Sequence, residues 1–222
     1  MLEINQLKWS ELYCSIHGYL VSVGGLLTFS HKNIFEAAKL RYSENEERTH
    51  KEIIRYFGQD KTKRSMYEIP HHLLCTNDHF CLFKLLEIPD ILHYYLKSDQ
   101  PTLATYINYL LDVDSHKYSI SSLVPDINKA IKYVSNPKEF YHGFGYFITT
   151  FFGEYNLGLI CYESSLRFAD DKSLLNDATT YNNIAYIYGQ NGMYRESIEF
   201  AQKALDIRTN ALGSNHALVA QS

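Results

Sequence analysis

The amino-acid sequence predicts a mainly α-helical chain ending in paired antiparallel helices, and three observations lead there. The clearest is the stretch Ala178–Thr209. Tyr181, Ile184, Ala185 and Tyr188 recur at helical spacing, Gly192 interrupts them, and Tyr194, Ser197, Ala201, Ala204 and Leu205 resume the pattern. The second is a weaker recurrence upstream. Gly153, Tyr155, Gly158, Tyr162, Ser165 and Leu166 line up with Gly192, Tyr194, Ser197, Ala201, Ala204 and Leu205, the two turn glycines lying 39 residues apart. The third is composition. Hydrophobic residues make up 45% of the 222 residues and charged residues 21%, enough apolar surface for a core, while 19 tyrosines supply large rings for gaps between helices.

The elements follow in chain order. Residues 5–18 place Leu7, Leu12 and Ile16 at helical spacing with Trp9 and Tyr13. Val21, Val23, Leu27 and Phe29 then flank Gly24-Gly25, and a two-glycine turn between β-branched and aromatic residues predicts a β-hairpin. Helices are expected from about Lys32 to Tyr42 and from Glu44 to Phe57. Helix, hairpin and helix make a small winged-helix-like unit over 1–60. Residues 61–136 read as a helical connector of short helices, with Pro89, Pro101 and Pro125 each suited to a first turn, where a missing N–H costs nothing. Asn136-Pro137 marks the next boundary. From 137 to 222 the chain is repetitive: a degenerate unit over 137–170, whose first helix is expected around His142–Phe152; a clear unit over 178–211; and a truncated third from 215.

Small residues at Ala185, Ala201 and Ala204 let two helices approach closely, while Tyr181 and Tyr188 fill the groove between them. The pattern of Ala178–Thr209 resembles the tetratricopeptide repeat, with Ser197 standing where alanine is usual. The tail Leu212-Gly213-Ser214-Asn215-His216-Ala217-Leu218-Val219-Ala220 resembles the linker of kinesin-light-chain-like repeats, with Ala217 in place of the common proline. The fold implied is the start of a right-handed α-solenoid. A third repeat broken off at Ser222 would leave an apolar face unburied, so a fragment of a longer product is expected.

The N-terminal half carries a second resemblance. Leu26 to Ala38, continuing to Arg41-Tyr42, is similar to the winged-helix module that follows a NACHT-type nucleotide-binding domain, with Ile34 where phenylalanine is usual. Glu68-Ile69-Pro70-His71-His72-Leu73 resembles a segment found after that module in nephrocystin-like signalling ATPases. The resemblance implies that His31 approaches the phosphate of bound ADP in a parent protein holding a NACHT domain. The competing reading is a histidine that packs against the hairpin. No Gly-x-x-x-x-Gly-Lys-Ser/Thr cradle occurs in the chain, so no cofactor is expected to bind it alone.

Other candidates yield to plainer readings. His71, His72, Cys75, His79 and Cys81 have irregular spacing, with Leu73, Leu74, Phe80 and Leu82 between them as helix core, and no metal site is expected. Cys14 lies three residues from His17 without an orienting group, and Cys161 reads as packing, so no catalytic residue is assigned and no enzyme is expected. Lys61-Thr62-Lys63-Arg64 reads as a solvated loop. The net charge of -4 gives no attraction for nucleic acid, and Lys32, Lys39 and Arg41 are too few for a winged-helix binder. Four cysteines without framework spacing and no apolar run long enough for a span point to a cytoplasmic protein.

The function expected is a non-catalytic scaffold binding other proteins or peptides through the repeat surface. Asn182 and Asn183, off the packing face of their helix, are either groove residues or simply solvated. The alternative is a regulatory fragment of an ATP/ADP-switched NACHT-type protein whose nucleotide-binding domain lies elsewhere.

Overall fold

The computed structural model describes residues 20–23, 26–29, 46–59, 63–124, 132, 134–168, 174–220 and 222. His31, Cys14, His17, Lys61, Thr62 and the expected helices over 5–18 and 32–42 lie outside them. Two compact units emerge, Met1–Asp78 and His79–Ser222. The expected boundary after residue 60 falls inside the first unit, and that after residue 136 inside the second.

In the first unit, β1 (Leu20–Val23) and β2 (Leu26–Phe29) pair antiparallel, with Leu20 opposite Phe29 and Val23 opposite Leu26. The helices that would complete a winged-helix unit are outside the described residues. Helix α1 (Glu46–Phe57) opens with Glu46 and Glu47 and closes with Arg55, charges that complement its dipole. It packs against α2 (Lys63–Cys75), in which Pro70 removes one backbone donor from the helix interior.

The second unit is built of short helices and then hairpins. Helix α3 (His79–Leu86) buries Leu82, Phe83 and Leu86. Pro89 opens α4 (Pro89–Ser98), and Pro101 lies in the first turn of α5 (Gln100–Asp114), whose cap Asp99 accepts the Thr102 N–H at 3.2 Å. A 3₁₀ turn at Ile120–Leu123 buries its two apolar ends. Helix α6 (Pro137–Phe152) and α7 (Tyr155–Leu166) form the next hairpin, and α8 (Leu174–Gln190) and α9 (Tyr194–Leu212) the last. Helix α4 packs on both α5 and α6, and α7 packs on α8. The helices from α3 onward, read from the sequence as part of a connector, therefore share one compact unit with the hairpins.

Two corrections concern boundaries. Helix α6 starts at Pro137 and not near His142. Asn136 caps it, accepting the Glu139 N–H at 3.1 Å, Pro137 takes the first position, and the Asn136 amide reaches back to the Glu139 carboxylate. What reads as domain punctuation is a helix cap. The segment from 215 does not open a third repeat helix either, because its residues form turns. Arg208, buried on α9, donates to the Leu218 carbonyl at 3.0 Å and the Ser222 hydroxyl at 2.8 Å, and folds the tail back.

Candidate functional site

The last hairpin turns at Gly192, whose φ of +73° is in the left-handed region that a side chain disfavours. The Met193 N–H reaches the Tyr188 carbonyl at 2.9 Å and the Gly192 N–H that of Gly189, closing α8. Across the interface, Ile184, Ala185 and Ala204 are buried, and the Ser197 hydroxyl donates to the Ala185 carbonyl at 2.8 Å. Serine in place of alanine thus adds a helix-to-helix bond. Ala201 and Leu205 are half-buried.

Tyr194 departs from the packing role expected of it: it is 69% exposed, as is Ile198. Its counterpart Tyr155 on α7 packs against the buried cluster of Tyr162, Ile184 and Ile187, whereas α9 has its main contact with α8 alone. The ring missing from the sequence pattern is Phe200. It stacks on Tyr188 with centroids 5.4 Å apart and lies 6.0 Å from Tyr181. The aligned position, Ala201, is small, and the aromatic stands one residue before it.

The α6–α7 hairpin uses the same plan with different residues. Gly153 makes its turn at φ +66°. Buried Ser165, the counterpart of Ala204, donates to the Lys138 carbonyl at 2.9 Å. Gly158 lets α6 and α7 approach: a Cβ there would stand 2.3 Å from Thr149 Cγ2. Tyr162 fills the space between α6, α7 and α8. Burial pushes this phenol up to about 12.

Helices α4, α6 and α8 line one groove. Its cavity is about 470 Å³, lined by His93 and Leu96 of α4, Phe140 and Tyr146 of α6, and Thr179 and Asn183 of α8. Asn183 lines this cavity. Asn182 is half-buried and lines neither this cavity nor a neighbouring one of about 620 Å³ bounded by Asn136, His142, Ser165 and Thr180. The Lys97–Glu139 pair at 2.9 Å joins α4 to α6 at an exposed edge, where it adds little stability. The Lys138–Asp177 pair at 2.6 Å joins α6 to α8 with both side chains largely covered.

His142 lines both cavities. Its Nδ1 is 2.9 Å from the Thr180 hydroxyl, whose only proton goes to the Asn176 carbonyl at 3.0 Å. When that proton is on the carbonyl, Nδ1 donates, which leaves Nε2 as an acceptor in the neutral ring. Burial holds His142 below the usual histidine value, with Asp177 and Glu139 pulling the other way. His142, Tyr146, Phe200 and the Lys138–Asp177 pair were not singled out by sequence reasoning. Their spacing carries no repeat signature, since in the alignment His142 stands where Tyr181 does and Lys138 one residue before Ala178.

Among the remaining candidates, Cys161 is fully buried, and burial pushes its thiol up to about 12. Cys75 and Cys81 are exposed. Because the thiolate is the reactive form, iodoacetamide should label Cys161 at least about tenfold more slowly than Cys75 or Cys81 in the native chain. Peptide mapping of a labelling time course checks this; equal rates would contradict the buried placement. His71 Nε2 lies 3.7 Å from Cys75 Sγ, and His79 stacks edge-on against Tyr109. Arg64 pairs with Glu68 at 3.3 Å.

No helix among the described residues is long and apolar enough to cross a membrane. No curated protein matches the chain significantly. Among solved structures, the crystal structure of MamA is similar at 15% identity with a TM-score of 0.34, covering 78% of this chain and 94% of that one. A family model, the tetratricopeptide repeat, matches residues 178–218, the last hairpin and the turns that follow it.

Proposed function

We propose that this chain is a non-catalytic scaffold that holds an extended polypeptide segment in the groove shared by α4, α6 and α8. Tetratricopeptide repeats generally serve as protein-binding surfaces, and the repeat match covers the last hairpin. The observation that carries the reading is the composition of the groove wall. The exposed ring of Tyr146, set over the buried Leu96 and Phe140, is interleaved with short polar groups (Thr179, Asn183). An extended peptide needs both, apolar contact for its side chains and hydrogen-bonding groups for its backbone. No covalent chemistry belongs to this reading.

Selection of peptides from a random display library on the intact chain tests it. Selected peptides should bind the Tyr146→Ala/Asn183→Ala variant at least about tenfold more weakly, a loss of roughly 1.4 kcal/mol or more, while that variant keeps its helical circular dichroism. Peptides that bind wild type and variant equally would refute the groove. The regulatory reading, with His31 reporting a nucleotide held by a domain outside these residues, draws its support from the motifs at 26–42 and 68–73 alone.

A further inference from the structure

Two carboxylate–histidine pairs meet head to head between α1 and α2. The Nδ1 atoms of His50 on α1 and His72 on α2 are 2.6 Å apart, with ring centroids at 4.8 Å. On the far side of each ring a carboxylate faces the other nitrogen: Glu46 Oε1 lies 3.8 Å from His50 Nε2, and Glu68 Oε2 lies 3.6 Å from His72 Nε2. The two imidazoles are largely covered, their side chains 16% and 10% exposed.

Counting protons decides what this geometry holds. Two neutral imidazoles carry two N–H groups among four nitrogens. One proton must lie between the Nδ1 atoms, because two lone pairs at 2.6 Å repel. That leaves one N–H for two carboxylates, and one Nε2 would turn its lone pair toward an anion. A third proton removes the conflict, since each Nε2–H then faces a carboxylate and the pair carries one shared positive charge. A fourth would set two N–H groups against each other and bring two full charges within 4.8 Å.

A metal ion does not fit between these atoms. Zinc–nitrogen bonds of about 2.0–2.1 Å at a tetrahedral angle hold two ligand nitrogens roughly 3.3 Å apart, well beyond the separation here. Among the described residues, no group of three or more His, Cys, Asp or Glu is placed to hold a metal ion.

We propose that His50 and His72 share one proton as a clasp between α1 and α2, and that the clasp opens when acid supplies the next proton. The other groups around it are His71, with its ring 5.2 Å from that of His72 and 6.5 Å from that of His50, Cys75 beyond His71, and Arg64 on the second oxygen of Glu68. Burial first, then the charges of His50 and His71, hold His72 below its free value of 6.5, against the pull of Glu68. With one proton already shared, the further proton that His72 resists in the folded chain is taken up more readily by the unfolded chain, so stability drains away as pH falls below 6.5. The window of change is therefore mildly acidic.

Nitrogen-15 NMR of the histidine side chains in the intact chain, followed from about pH 8 to about pH 4, is the test. The expected result is one protonation step shared by His50 and His72 and a second displaced to acid, with a coupling between the two Nδ1 atoms before it. Hydrogen exchange should show protection of the α1 and α2 amides falling at least about tenfold between roughly pH 7 and pH 5, and falling less than about twofold in His50→Gln. The wild-type titration decides the matter even where the variant does not fold. Independent single-step titration of His50 and His72 would overturn the clasp, and so would micromolar zinc binding that shifts His50, His71 and His72 together.

Discussion

Replacing Tyr162 by alanine should cost about 3–5 kcal/mol, the range for removing a buried aromatic ring, and should unfold most of the second unit at 37 °C. Tyr162 is 1% exposed and touches α6, α7 and α8 at once, packing with Ile184 and Ile187 of α8 and against Gly145 of α6. Its removal leaves a cavity that three helices would have to collapse into, and their close approach at Gly145 and Gly158 leaves little room to move. Tyr162→Phe separates the ring from the hydroxyl. Thr149 keeps its bonds to the Gly145 and Tyr146 carbonyls. The cost should fall to about 1 kcal/mol. Urea unfolding followed by far-ultraviolet circular dichroism measures both; equal costs would show that the ring is not the keystone of the stack.

Gly158→Ala should destabilise the same unit by about 1–3 kcal/mol, although alanine is the better helix former by nearly 1 kcal/mol. The new methyl would stand 2.3 Å from Thr149 Cγ2, and Thr149 is held in its rotamer by hydroxyl bonds to α6 carbonyls. Thr149→Ser deletes the obstructing methyl and keeps the hydroxyl. In the double variant most of the loss should be recovered, a coupling of about 1 kcal/mol or more between the two sites. Additive costs in the same urea series would mean that the helices are not in contact there.

How far the sequence spoke for the fold depends on the range of the interaction. Gly153 and Gly192 are legible because a left-handed turn selects glycine locally, and Ala185 and Ala204 because close helix packing selects small side chains. Phe200 escaped because the repeat pattern assigns no ring to its position, and the upstream ring, Tyr162, aligns one residue later with Ala201, a shift that turns a helical side chain by about 100°. Tyr194 misled for the opposite reason: it matches the pattern, but its burial depends on a covering helix that α7 has and α9 lacks among the described residues. The start of α6 was misread because Asn136-Pro137 signals both a chain break and a helix cap, and only the Glu139 N–H bond tells them apart. The groove and the histidine clasp join residues far apart in sequence, and no local spacing records either.

The placement of a bound polypeptide against α4, α6 and α8 is the claim on which the functional reading stands. Hydrogen–deuterium exchange of the intact chain with and without a display-selected peptide measures it directly. Protection should concentrate in the segments holding His93–Gln100, Glu139–Tyr146 and Thr179–Asn183, the walls of the 470 Å³ cavity. Protection confined to the exposed face of α9 around Tyr194 and Ile198, with those three segments unchanged, would contradict it.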